Sequence, residues 1–91
     1  MPHVVTISPR RVSLVRARTR AAMRARIIAV LADHRPEVDG VSGSIRVYFS
    51  PRHDPRAAKE EVAALLNAAH PQWRRAFALY PTEFRLKERG F

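Results

Sequence analysis

Prolines divide this chain of 91 residues into short strand-like runs and two long segments that contain neither proline nor glycine. The first long segment follows Ser8-Pro9 and ends at Arg35-Pro36, and the second follows Asp54-Pro55 and ends at His70-Pro71. Proline is favoured at the first position of a helix and breaks a helix from within. The positions of the prolines therefore predict two helices, with strands before, between and after them.

Three segments outside the predicted helices have the sequence character of β-strands. Residues 4–7 are mostly β-branched, residues 44–49 alternate apolar side chains with Arg46 and Tyr48, and residues 75–80 alternate in a similar way. Successive residues of a strand lie on opposite faces of a sheet, so this alternation predicts one buried and one open face. Residues 82–91 predict either a fourth, hairpin-paired strand or an extended tail.

The β-α-β-α-β order predicts a small two-layer sandwich of the α/β or α+β class, with both helices on one face of a three- to four-stranded sheet. Because a helix joins each strand to the next, we expect a mainly parallel sheet with right-handed crossovers. This length supports a single domain over residues 1–91. Helical spacing predicts buried faces comprising Leu14, Ala17, Ala21, Ala25, Ile28 and Leu31 on the first helix, and Ala58, Val62, Leu65, Leu66 and Ala69 on the second.

The charge balance of the chain is strongly basic. Lysine and arginine number 17 and aspartate and glutamate 8, which gives a formal net charge of +9. This balance indicates an anionic partner, which could be nucleic acid, an acidic protein surface or anionic lipid. The chain has no cysteine, which excludes a disulfide scaffold and an iron–sulfur site. No apolar run approaches the roughly 20 residues of a membrane span, and no signal peptide is visible, so we expect a cytoplasmic protein.

Arginines concentrate at the start of the first predicted helix. Seven of them fall between residues 10 and 26 without an intervening acidic residue. Arg16, Arg20 and Arg24 would form a ridge of like charges four residues apart, which repel by a few tenths of a kcal/mol per pair. A polyanion would relieve this repulsion, and so would Glu60 or Glu61 of the second helix if the two helices pack side by side. The functional interpretation of the ridge is contact with nucleic-acid phosphates. The alternative is a helix face that is simply solvated.

Two Ser-Pro-Arg sequences follow the first and second predicted strands. In a parallel sheet both would lie at the carboxyl edge, where Arg10, Arg11, Arg52 and His53 would converge near two helix N-termini as an anion pocket. The alternative is that both sequences only start helices. No glycine-rich phosphate loop, no metal-ligand spacing and no nucleophile–base pair is present, so we expect no cofactor, no metal and no catalytic activity.

The predicted open face of the sheet carries aromatic and basic side chains. It comprises Thr6, Arg46, Tyr48, Ala76, Ala78 and Tyr80. Such a face is typical of a platform for single-stranded nucleic acid. It could equally pair with a second copy of the chain or be covered by residues 84–86. Trp73 should pack over the end of the second helix, and if exposed it would anchor an interface.

Together these patterns predict a small, basic, non-enzymatic binding protein that contacts nucleic-acid phosphates through its arginine-rich helix. The alternative is a protein–protein interaction or regulatory accessory module, for example one encoded by a phage. Such a module would dock an acidic partner, or self-associate as a homodimer, through the open sheet face or a sheet edge.

Overall fold

The computed structural model describes residues 3–12 and 14–81. The strands are β1 (His3–Pro9), β2 (Glu37–Val38), β3 (Ile45–Phe49) and β4 (Phe77–Pro81), and the helices are α1 (Ala17–Val30) and α2 (Pro55–Ala69). Short 3-10 helices at Ala32–His34 and Trp73–Arg75 follow α1 and α2. Residues 82–91, for which the sequence predicts a hairpin strand or a tail, lie outside the described residues.

The four strands form one antiparallel sheet in the order β2-β3-β1-β4. The chain therefore follows a β-α-β-β-α-β path in which each helical crossover skips a strand, the split β-α-β arrangement of ferredoxin-like folds. The prediction of a mainly parallel sheet is wrong. Each helix does return the chain in its original direction, but an antiparallel strand is inserted between the two strands that the helix joins.

The predicted small two-layer sandwich of two helices on a four-stranded sheet is confirmed, and its class is α+β. Alternate residues of the strands, such as Val5, Ile7, Ile45 and Val47, are buried, and they form one core with α1 and α2. The two helices also pack against each other. The strand residues between these positions lie on the open face. The prediction that Ala76 lies on the open face is wrong, because Ala76 precedes β4 and is fully buried.

Helix α1 packs through a different face from the predicted one. Its buried residues Met23 and Ile27 lie outside the predicted stripe. Of the predicted residues, Leu31 directly after the helix is buried and Ile28 packs partly buried against the core. The alanines of the predicted stripe are exposed, and Leu14 is 68% exposed in the loop before the helix. The helix starts at Ala17 and not at Pro9 or Leu14, the two starts that the sequence predicts, because backbone hydrogen bonds hold residues 10 and 14 against residues 76 and 75.

Helix α2 follows its sequence pattern closely. Ala58, Val62, Leu66 and Ala69 are buried, and Leu65 packs partly buried against the same core. At its start the Asp54 carboxylate accepts a hydrogen bond from the backbone N–H of Ala57 at 3.0 Å, and proline follows in the first turn. Within the described residues, neither helix is both long and apolar enough to cross a bilayer.

Candidate nucleic-acid interface

Backbone hydrogen bonds bring two arginine-rich segments together at one end of the sandwich. The N–H of Arg10 donates to the Ala76 carbonyl at 2.8 Å, and the N–H of Leu14 donates to the Arg75 carbonyl at 3.3 Å. The loop between β1 and α1 is thereby fixed against the 3-10 helix that precedes β4. Five exposed arginines lie on these segments, and we name them the arginine corner: Arg10, Arg11, Arg16, Arg74 and Arg75.

Side-chain contacts hold two members of the corner in place. The Arg10 Nε donates to the Arg74 carbonyl at 2.6 Å, and the Arg74 guanidinium lies 4.5 Å from the centre of the Trp73 ring. Trp73 itself is 1% exposed, and its Nε1 donates to the Asn67 side chain at 2.8 Å. Trp73 therefore packs over the end of α2, as the sequence predicts. Because it is buried, it does not anchor an exposed interface.

The corner continues along α1 through the predicted arginine ridge. Arg16 precedes the first helical residue, and Arg20 and Arg24 are half-buried beside a groove of about 400 Å³. The groove is otherwise lined by Pro9, Ala17, Ala21, Ala25, Ile28 and Phe77. The Arg24 guanidinium packs beside Gly43 in the loop between β2 and β3. The space is tight there, because a side-chain Cβ added to Gly43 would lie 3.3 Å from Arg24 Nη1. The ridge thus borders a shallow apolar groove and is not a fully solvated face.

Most carboxylates within the described ranges have partners away from the corner. Glu37 and Asp39 bond to Arg46 at 2.8 and 3.3 Å, and Asp54 caps α2. Glu60 lines a groove that Arg10 and Arg74 also border, so it is the described acidic residue that shares a surface with the corner. No acidic residue lies in the first turn of α1. The corner is therefore a surface of positive potential.

Arg52 and His53 lie at the opposite end of the sheet from Arg10 and Arg11. Because β1 and β3 are antiparallel, with His3 opposite Phe49 and Ile7 opposite Ile45, the ends of the two strands point apart. The predicted convergence of the four side chains in one anion pocket is therefore wrong. The His53 ring instead packs against the Phe49 ring at a tilt of 43°, with 4.9 Å between ring centroids, and its Nε2 lies 3.9 Å from the Glu61 carboxylate.

The open sheet face is divided into two halves of different charge. On the β2–β3 half, the Tyr48 hydroxyl donates to Glu37 at 3.2 Å, and the same carboxylate binds Arg46. Partial burial and this hydrogen bond raise the pKa of Tyr48 above its ordinary value. On the β1–β4 half, Tyr80 lines a depression with Arg10 and Arg11. The sequence places Arg46, Tyr48 and Tyr80 on one face correctly, but not the division between them.

Comparison with models of protein families, with curated proteins and with solved structures gave no match. Any functional conclusion therefore rests on the geometry. Within residues 3–12 and 14–81, no three histidine, aspartate or glutamate side chains are grouped so that they could hold a metal ion. The arginine corner is the feature that sequence reasoning missed in part. Arg74 and Arg75 carry no signal of their own, and only the fold joins them to Arg10 and Arg11.

Proposed function

We propose that the protein is a cytoplasmic, non-enzymatic binding protein that contacts nucleic-acid phosphates through the arginine corner and the adjoining Arg20 and Arg24 of α1. The observation that carries this proposal is the union of two separate arginine-rich segments, 10–16 and 74–75, into one exposed surface by backbone hydrogen bonds. Guanidinium groups suit this role because their fork geometry matches phosphate oxygens and they stay charged at any physiological pH.

The start of α1 supports the same proposal. Among the described residues no side chain caps the helix, so its first backbone N–H groups can donate to an anion, and the helix dipole favours negative charge there. Arg16 and Arg20 flank this end. Arginines close together repel unless an anion lies between them, so a phosphate backbone would stabilise the corner as well as bind to it.

A second candidate function is docking of an acidic protein surface or of a second copy of the chain. Val12 is 77% exposed and Leu14 68% exposed, and both lie in the loop that carries the corner arginines. Among the described strands, β4 pairs on one side only, with β1, and strand addition at a sheet edge is a common mode of docking. Light scattering distinguishes self-association, because a dimer doubles the mass at micromolar concentration.

The test of phosphate binding compares two triple variants with the same net charge. The corner triple is Arg11→Gln, Arg16→Gln and Arg75→Gln, and the control triple is Arg18→Gln, Arg26→Gln and Arg52→Gln. All six residues are exposed. Fluorescence anisotropy with labelled oligonucleotides at ~50 mM salt should show the corner triple binding roughly 10²–10³-fold more weakly than wild type, and the control triple binding nearly as wild type. Equal losses in both triples would contradict a localised interface.

A further inference from the structure

A depression between Tyr80 of β4 and the residues that end and follow β1 combines an aromatic ring with two arginines. It is lined by Pro9, Arg10, Arg11, Val12 and Tyr80 and has a volume of about 490 Å³. Tyr80 lies on β4 opposite Thr6 of β1, and its side chain is 40% exposed. Val12 is also largely exposed, and the lining combines apolar side chains with two guanidinium groups. We name it the Tyr80 site.

We propose that the Tyr80 site stacks one base of a single-stranded nucleic acid on the tyrosine ring, while Arg10 and Arg11 contact the adjoining phosphates. This inference rests on the proposed function and specifies its substrate as single-stranded. In a duplex each base is already stacked on its neighbours, and only an unpaired base can offer its face to a side chain. Apolar contact from Pro9 and Val12 would add to the stacking without selecting a particular base.

The second exposed tyrosine of the open face does not offer the same site. Tyr48 is 46% exposed, but the Glu37 carboxylate lies beside its ring, and Glu37 and Asp39 neutralise the neighbouring Arg46. A phosphate placed there would approach two carboxylates, which repel it. The arginines next to Tyr80 belong to the arginine corner, so a strand whose phosphates lie on the corner can place a base on Tyr80.

The experiment measures the affinity of four variants for a labelled single strand of about 20 thymidines and for a duplex of the same length. The test variants are Tyr80→Leu, which keeps apolar bulk on the strand, and Tyr80→Phe, which keeps the ring. The control variants are Tyr48→Leu and Tyr48→Phe on the other half of the face. Thermal unfolding by circular dichroism confirms that each variant is folded at the assay temperature.

We expect Tyr80→Leu to weaken single-strand binding roughly 5- to 150-fold, since one stacked base contributes at this level. Tyr80→Phe should bind as wild type, both Tyr48 variants should bind as wild type, and no Tyr80 variant should change duplex affinity. Equal weakening by Tyr80→Leu and Tyr48→Leu, or unchanged single-strand binding by Tyr80→Leu, overturns the stacking site while arginine-dependent binding stands. Wild-type protein that binds neither probe at ~50 mM salt overturns the proposed function itself.

Discussion

The packing of α1 can be tested by truncating two neighbouring isoleucines. Ile27 is fully buried in the core, whereas Ile28 is half-buried beside the groove. Ile27→Ala removes three buried carbon groups, which costs about 2.4 kcal/mol in transfer free energy, and the cavity raises the loss of unfolding free energy to about 3–4 kcal/mol. Ile28→Ala removes the same atoms from a half-exposed position and should cost about 1 kcal/mol.

Both substitutions raise helix propensity equally, so the difference between them reports burial alone. A domain of this size has a stability of about 5–15 kcal/mol, and each kcal/mol lost lowers Tm by about 4–8 °C. Urea unfolding should be followed by circular dichroism and by the fluorescence of Trp73, which is buried in the folded protein. If Ile28→Ala proved as costly as Ile27→Ala, α1 would pack through the alanine stripe, and the account of its buried face would be refuted.

Three further predictions follow from local geometry. Gly43 has φ of 78° and lies in a tight turn, so Gly43→Ala should lower the unfolding free energy by about 1–2 kcal/mol, whereas Gly40→Ala, with open space around it, should change it by less than about 0.5 kcal/mol in the same urea assay. Asp54→Ala should cost about 1 kcal/mol through loss of the N-cap of α2, and Asp54→Asn should restore most of it. Glu37→Gln should lower the pKa of Tyr48 towards its ordinary value, measured by phenolate absorbance. Because the folded phenol of the wild type keeps its proton to higher pH than the unfolded one, its contribution to stability should be lost as pH rises above about 10.

Helix α2 and its cap could be predicted from the sequence because local signals agree there. Asp54 and Pro55 start the helix, and Val62 and Leu66 mark one face against exposed Lys59 and Glu60 on the other. In α1 the pattern is ambiguous, because alanine is as compatible with solvent as with a core. Its alternation with arginine therefore defines no clear apolar face, and the burial of Met23 and Ile27 is decided by tertiary packing.

The antiparallel pairing of the strands could not be predicted from local sequence patterns, for a different reason. Strand β2 is only two residues long, Glu37–Val38, and its side chains are exposed, so it carries no hydrophobic signal. When β2 is overlooked, the predicted order of elements is β-α-β-α-β. That order predicts that neighbouring strands run parallel. The pairing that decides the topology joins residues far apart in sequence, such as Val5 with Val47 and Thr6 with Tyr80.

Part of the candidate site could likewise be predicted from local sequence patterns, and part depends on contacts between residues far apart in the sequence. The basic character of the 10–24 segment and the membership of Tyr80 in the open face follow from spacing and alternation. The joining of Arg74 and Arg75 to Arg10 depends on where the end of α2 meets the loop after β1, which no local pattern encodes. The separation of Arg52 and His53 from Arg10 likewise follows from strand direction and not from the shared Ser-Pro-Arg sequence.

The salt dependence of single-strand binding tests the central claim most directly. About seven phosphate contacts, made by the arginine corner with Arg20 and Arg24, should give a slope of log affinity against log salt concentration of roughly −4.9, at about −0.7 per contact. The corner triple, which lacks Arg11, Arg16 and Arg75, should flatten the slope to roughly −2.8, while the control triple should keep the wild-type slope. A wild-type slope near zero, or the same flattening in both triples, would contradict phosphate binding at this corner.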